Sequence, residues 1–150
     1  GTSLGISASY LASANSNSKV ITMEGCPNTA NEARKNFESL GLNTIEIVVG
    51  NFDSILPAIL RQLPTANCQL VFFDGNHRKT PTLKYFFQCL EYAHNDSVFI
   101  FDDIHWSDEM EEAWEEIKKH PQATVTIDLF KMGIVFFRQE QVKQHFVIRF

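Results

Sequence analysis

The stretch 123-ATVTIDLFKMGIVFFR-138 decides the fold of this chain. ATVTIDLF and GIVFFRQ both read as strands, rich in β-branched and aromatic residues, and they meet across Lys131, Met132 and Gly133. A parallel crossover needs a dozen or more residues, so strands this close must pair antiparallel. Upstream, strand-like and helix-like segments alternate with no linker, repeat or low-complexity stretch between them, which is the order of a parallel sheet flanked by helices. The expected architecture is α/β: a Rossmann-like, mostly parallel sheet with helices on both faces and a C-terminal antiparallel hairpin, in a single domain over residues 1–150.

Working outward from the hairpin, SVFIFDD, QLVFFD, TIEIVVG and KVITME are the parallel strands. Between them, SDEMEEAWEEIKKH reads as a helix capped by Ser107, with acids in its first turn, Lys118, Lys119 and His120 in its last, and Met110, Ala113, Trp114 and Ile117 on the buried face. TPTLKYFFQCLEYA reads as a helix capped by Thr80, with Pro81 first and Leu83, Phe86, Phe87 and Leu90 facing inward. DSILPAILRQL is a short helix capped by Asp53 or Ser54. PNTANEARKNFESLG starts on Pro27, ends at Gly41 and presents Ala30, Ala33, Phe37 and Leu40 on one face. SASYLASA is a helix candidate after the opening turn, and HFVIRF at the end is either a further edge strand or an ordered tail.

Composition narrows the function. The net charge of -5 comes with Lys and Arg scattered in isolated pairs, so no basic stripe supports nucleic-acid binding. Three cysteines, Cys26, Cys68 and Cys89, are an odd number at irregular spacing, which suits reduced thiols of a cytoplasmic protein better than a disulfide framework or a zinc site. No apolar run approaches the roughly 20 residues of a membrane helix. Phe occurs 13 times, largely in the strand runs, as fits strands covered on both faces.

Three of the parallel strands end on acid: VITME at Glu24, LVFFD at Asp74, and VFIFDD at Asp102 and Asp103. In open α/β sheets the ligand crevice lies outside the carboxyl ends of the strands, so these acids are placed for binding and chemistry. The opening GTSLGIS looks like the turn after an earlier strand, with Gly1 and Gly5 where backbone approaches a ligand and Ser7 where a helix is capped. An acid about 20 residues beyond such a turn is the usual partner of ribose hydroxyls, which is the reading for Glu24. Ser3 stands where a GxGxxG fingerprint needs glycine, which favours a cofactor without a pyrophosphate.

These segments resemble, over nearly the whole chain and in the right order, the class I S-adenosylmethionine-dependent methyltransferases, and within them the small-molecule O-methyltransferases akin to catechol O-methyltransferase. GTSLGIS, VITMEG, VVGNF, VFFDGNH, FDDIHWS and the closing hairpin carry the resemblance. It implies that Gly1, Ser3 and Gly5 border the methionine part of S-adenosylmethionine, that Glu24 holds the ribose, that Asn51 and Phe52 sit against the adenine, and that Asp74 lies near the sulfonium and the substrate. Asn51 departs from the commoner acid at its position. Asp74, Asp102 and Asp103 resemble the ligands of the magnesium-dependent branch, with Asp103 where an Asn is usual. His77, three residues after Asp74, stands where that branch carries a catalytic lysine, and DGNH also resembles a second group of methyltransferases with histidine after this aspartate. His77 is thus the candidate base for a small hydroxylated acceptor. His105 and Trp106 are expected to line the acceptor pocket or to pack against the following helix.

The same resemblance implies a strand before Gly1, in the middle of the sheet, and an N-terminal segment over the acceptor site. Without that strand, another segment fills the gap or two chains pair across it as a homodimer, and binding of the cofactor by residues 1–150 alone is expected to be weak. The alternatives are an NAD-type oxidoreductase, since Glu24 fits either cofactor, and a non-catalytic cofactor-binding remnant.

Overall fold

A computed structural model describes residues 1–64 and 68–149. The chain divides into two compact units, Gly1–Ile59 and Leu60–Phe150.

In the first unit, β1 (Val20–Glu24) and β2 (Ile45–Val49) pair in parallel, with Glu24 opposite Val49. Helix α1 (Ile6–Ala14) precedes β1, α2 (Pro27–Ser39) connects the strands, and α3 (Phe52–Leu60) follows β2. Pro27 opens α2, where its missing N–H costs nothing. The helix stops at Gly41, whose φ of 69° suits a residue without Cβ. Leu42 then donates its N–H back to Phe37 O at 2.9 Å. The core is Ala8, Ala33 and Phe37, with Val20, Leu42, Ile45 and Ile47 packed around them. Leu40 was expected on this buried face, but it is the C-cap and is 62% exposed.

In the second unit, five strands follow the order β3-β4-β6-β5-β7: β3 (Leu70–Phe73), β4 (Val98–Asp102), β6 (Met132–Phe136), β5 (Val125–Asp128) and β7 (Gln144–Val147). Strands β3 and β4 are parallel, and β6 runs antiparallel between β4 and β5 as the hairpin reading requires. HFVIRF resolves in favour of an edge strand: β7 pairs in parallel with β5, and Phe150 lies outside the described residues.

Helices α4 (Lys79–Leu90) and α5 (Asp108–Lys119) cover one face of this sheet. The register places Phe99, Phe101, Val135, Thr126 and Asp128 on that face, all buried. Phe86 of α4 meets Phe99 and Phe101 ring to ring, and Trp114 of α5 lies over Gly133, where a Cβ would come within 2.6 Å of the indole. Glycine in β6 is therefore a packing requirement of Trp114. Burying side chains of this size contributes about 1.5–3 kcal/mol each.

Ser107 caps α5 as expected, accepting from Met110 N at 3.3 Å. The other caps differ: Ser7 lies inside α1, whose N-cap is Gly5. Helix α4 begins at Lys79, with Thr80 and Pro81 already inside it, because Lys79 N finds its acceptor in Glu109 Oε2 of α5 at 3.1 Å. Helix α3 begins at Phe52, and Asn51 rather than Asp53 or Ser54 supplies its cap, accepting from Asp53 N at 2.8 Å. Phe87, expected inward, is 47% exposed, while Thr82, Tyr85, Phe86, Cys89 and Leu90 form the buried stripe of α4.

Candidate active site

The first unit gathers four of the expected cofactor residues around the end of β1. Thr2 N donates to Met23 O at 2.8 Å and the Thr2 hydroxyl meets that of Thr22 at 2.8 Å, which fastens the opening turn alongside the strand. Ser3, in left-handed backbone at φ 51°, then directs its N–H to Glu24 Oε2 at 2.9 Å. Cys26 N donates to Oε1 at 3.0 Å. Gly1 lies so close that a Cβ would be 3.3 Å from Glu24 Oε2 and 3.7 Å from Phe52 Cζ. Gly1, Ser3, Glu24 and Phe52 thus share one small region. Partial burial would raise the pKa of Glu24, but the N–H groups of Cys26, Ser3 and Gly25 outweigh it and hold the carboxyl below its ordinary value.

Two further expected cofactor residues, Gly5 and Asn51, serve the fold visibly. At Gly5, with φ 87°, a Cβ would be 2.4 Å from Phe37 Cε1, so the absence of a side chain answers to helix packing. Asn51 spends its side-chain oxygen on the cap of α3. This also accounts for an amide where the resemblance leads one to expect an acid, since Asn caps a helix as well as Asp does.

The second unit brings together the rest. Asp74 follows β3, Asp102 ends β4, and Asp103 begins the turn into α5. His77 Nε2 stands 3.5 Å from Asp74 Oδ1 and 3.9 Å from Asp103 Oδ2. Two non-glycine residues of these turns, Asn76 and Asp103, hold left-handed backbone at φ 54° and 55°. Such conformations persist only where the surroundings fix them, and they cluster at functional sites. Asn76 is fixed by its Nδ2 donating to the Tyr85 hydroxyl at 3.3 Å. Burial, and then the charges of Asp103 and Asp74, push the pKa of Asp102 above the usual carboxylate range. Among the described residues no group of three or more His, Cys, Asp or Glu side chains has the arrangement to hold a metal ion. The three acids are near neighbours, but they do not form the donor set expected for magnesium.

One cluster went unread in the sequence. Asp128, only 4% exposed, ends β5 just as Glu24 and Asp102 end their strands, so the strand-ending acid was a visible signal. Its Oδ2 meets His105 Nε2 at 2.8 Å, and its Oδ1 accepts from Phe130 N at 2.7 Å and Arg149 Nη1 at 3.0 Å. His105 Nδ1 meets Glu111 Oε1 at 3.0 Å. His105 therefore does pack against α5, while Trp106 is 74% exposed.

An α/β fold with acids at its strand ends is of the kind that nucleotide-cofactor enzymes use. The chain belongs to the methyltransferase domain family, whose model matches residues 1–104. That membership favours the methyltransferase reading over the NAD-type oxidoreductase one. Among solved structures, the chain is similar to the O-methyltransferase TomG from Streptomyces achromogenes in complex with SAM, at 22% identity and TM-score 0.78, over 92% of this chain and 70% of that one. It is similar to the O-methyltransferase from Bacillus cereus in complex with SAH, at 22% identity and TM-score 0.75, over 91% and 71%. It is also similar to the SAH-bound methyltransferase PaMTH1 of Podospora anserina, at 14% identity and TM-score 0.74, over 93% and 70%. At these identities the likeness is one of fold. None of the curated proteins matches the chain.

Proposed function

We propose that this protein transfers a methyl group from S-adenosylmethionine to a hydroxyl of a small acceptor, with His77 as the general base. The observation that carries the reading is the placement of His77 Nε2 between Asp74 and Asp103 at the ends of two neighbouring strands. The solved O-methyltransferases of the same fold support it.

The residues of the first unit fit the cofactor. The Glu24 carboxylate, oriented by backbone N–H groups of Ser3 and Cys26, is of the kind that accepts from the two hydroxyls of a ribose. Bound S-adenosylmethionine supplies an electrophilic methyl on a positively charged sulfur. His77 removes the proton of the acceptor hydroxyl, and Asp74 and Asp103, which lie beside Nε2, stabilise the imidazolium that results. The acceptor oxygen forms a bond to the methyl carbon as the carbon–sulfur bond breaks. No step is assigned to a metal, because the acids around His77 do not close into a donor set.

Cys26, Cys68 and Cys89 are free thiols, which supports a reducing, cytoplasmic setting. Among the described residues no helix is long and apolar enough to cross a membrane. The test is methyl transfer from labelled S-adenosylmethionine to catechol and caffeate. His77→Ala should lower kcat by about 10²–10⁴-fold with the Kd for S-adenosylhomocysteine unchanged. Unchanged turnover in that variant would remove His77 from the role.

A further inference from the structure

We infer that His105, clamped between Asp128 and Glu111, is a positioning residue that sets the turn carrying Asp102 and Asp103. The inference rests on the acceptor-side role proposed for those acids.

The turn needs such a device. Asp103 is an L-residue in left-handed backbone at φ 55°, a conformation that persists where the surroundings fix it. The backbone supplies two restraints, Trp106 N to Asp103 O at 3.0 Å and a long Ile104 N to Lys131 O at 3.3 Å. Ile104, 1% exposed, anchors the turn through burial. These fix where the turn is attached but leave its outer part, His105 and Trp106, to be held by side chains.

His105 holds it from two directions. Its Nε2 meets Asp128 Oδ2 at 2.8 Å, which ties the turn to the end of β5. Its Nδ1 meets Glu111 Oε1 at 3.0 Å, which ties it to the first turns of α5. The imidazole also stacks on Phe130, with ring centroids 5.6 Å apart and planes 26° from parallel. Asp128 is itself immobilised: it is 4% exposed and accepts from Phe130 N and Arg149 Nη1 besides His105. The Arg149 guanidinium lies 5.5 Å from the Phe130 ring centre, so the last strand's tail belongs to the same assembly. A buried carboxylate with three donors is a rigid post, and His105 is the arm that connects it to the acids beside His77. The two attachments are unequal. Asp128 is buried, whereas the Glu111 side chain is 55% exposed and its pairing is weakened by solvent.

The consequence is a split between chemistry and cofactor binding. Loosening the turn displaces Asp103 relative to His77 while Gly1, Ser3 and Glu24 are untouched, and a misplacement of about 1 Å can cost up to about 10²-fold in rate. In the full chain, His105→Ala should lower kcat for methylation of catechol or caffeate by about tenfold to a hundredfold, with the KM for S-adenosylmethionine within about twofold of wild type. His105→Gln, which can still donate to Asp128, should recover most of the lost kcat. Asp128→Asn should fall with His105→Ala, and Glu111→Gln should stay near wild type. Amide hydrogen exchange adds a readout independent of turnover: exchange at Ile104, His105 and Trp106 should quicken in His105→Ala and return towards wild type in His105→Gln.

Unchanged exchange across residues 103–106 in His105→Ala would overturn the inference. So would a joint fall of kcat, S-adenosylmethionine binding and melting temperature in both His105 variants, which would make the residue a general structural support. If wild type methylates neither acceptor, that failure belongs to the proposed acceptor reaction, and the exchange measurements alone decide whether His105 sets the turn.

Discussion

Ser3 donates its backbone N–H to Glu24 Oε2 at 2.9 Å across 21 residues of sequence. This bond joins the opening turn to the first strand's terminal acid, and it orients the carboxylate before any ligand arrives. The orientation would be difficult for another side chain to reproduce, because Cys26 N fixes the second oxygen at the same time. Glu24→Gln should therefore weaken binding of S-adenosylhomocysteine by about 10- to 100-fold, the worth of about 1.5–3 kcal/mol of charge-assisted hydrogen bonding. Isothermal titration reads this directly. Since the folded pKa of Glu24 lies below its ordinary value, binding that depends on the carboxylate should persist through mildly acidic pH and fail only as pH drops through that lowered pKa. Loss of binding already near neutrality would contradict the assignment.

Gly5 makes a separate prediction about stability. Its φ of 87° already disfavours an L-side chain, and a Cβ would stand 2.4 Å and 2.6 Å from two ring atoms of Phe37. The left-handed penalty of about 1–2 kcal/mol adds to an overpacking cost of about 1–3 kcal/mol. Gly5→Ala should lose about 2–5 kcal/mol, seen as a fall in Tm of about 5–20 °C. A variant melting within a degree of wild type would show that Phe37 has room to move.

The acids around His77 trade stability for placement. Burial and the charges of Asp103 and Asp74 raise the pKa of Asp102, so the ionised form is held at a cost in the folded state. The site is half-exposed and screened, so relief is worth at most about 1 kcal/mol. Asp102→Asn should raise Tm by about 1–3 °C at neutral pH while lowering turnover. The sign follows from the raised pKa: wild type gains stability as pH falls and Asp102 protonates, so the advantage of the variant should shrink as pH drops through that value. A thermal melt series against pH checks both the size and the trend.

How much of this was legible in the sequence depended on how local the determining contacts are. Helix α5 carries its own instructions in Ser107, its first-turn acids and its last-turn lysines, and its four expected core residues, Met110, Ala113, Trp114 and Ile117, are all buried. The hairpin's pairing sense was equally readable, because so short a connection permits only one, although it is formed by Leu129 to Lys131 and not by Lys131 to Gly133 as the sequence suggested. Helix α4 was misread at its start because the acceptor for Lys79 N is Glu109, 30 residues away, which no local pattern reveals. Phe87 was misread for the opposite reason. Tyr85 and Cys89 proved to be the buried partners of Phe86, which turns the helix so that Phe87 faces outward. Asn51 carried two compatible local meanings, a cap and an adenine contact, and only coordinates show its oxygen committed to Asp53 N. Asp128 was readable as a strand-ending acid, but its three donors come from residues 105, 130 and 149, so its depth was not.

The His105–Asp128 contact has a pH dependence bounded on both sides. Burial would lower the pKa of His105, but its bonds to Asp128 and Glu111 outweigh that and raise it. Burial would likewise raise the pKa of Asp128, but His105, Phe130 N and Arg149 outweigh that and lower it. Ionised carboxylates only accept, so with both ring nitrogens facing carboxylates His105 is held as the imidazolium. Its contribution is fully present below the ordinary histidine pKa and is lost as pH rises through the raised folded value. The contribution of Asp128 is present above the ordinary carboxylate pKa and is lost as pH falls through its lowered value. The melting difference between wild type and His105→Ala should therefore be widest, at a few degrees, between the ordinary carboxylate and histidine ranges, and should narrow towards both acid and alkaline pH. A difference that kept growing on the alkaline side would mean that neutral His105 is the form this contact stabilises.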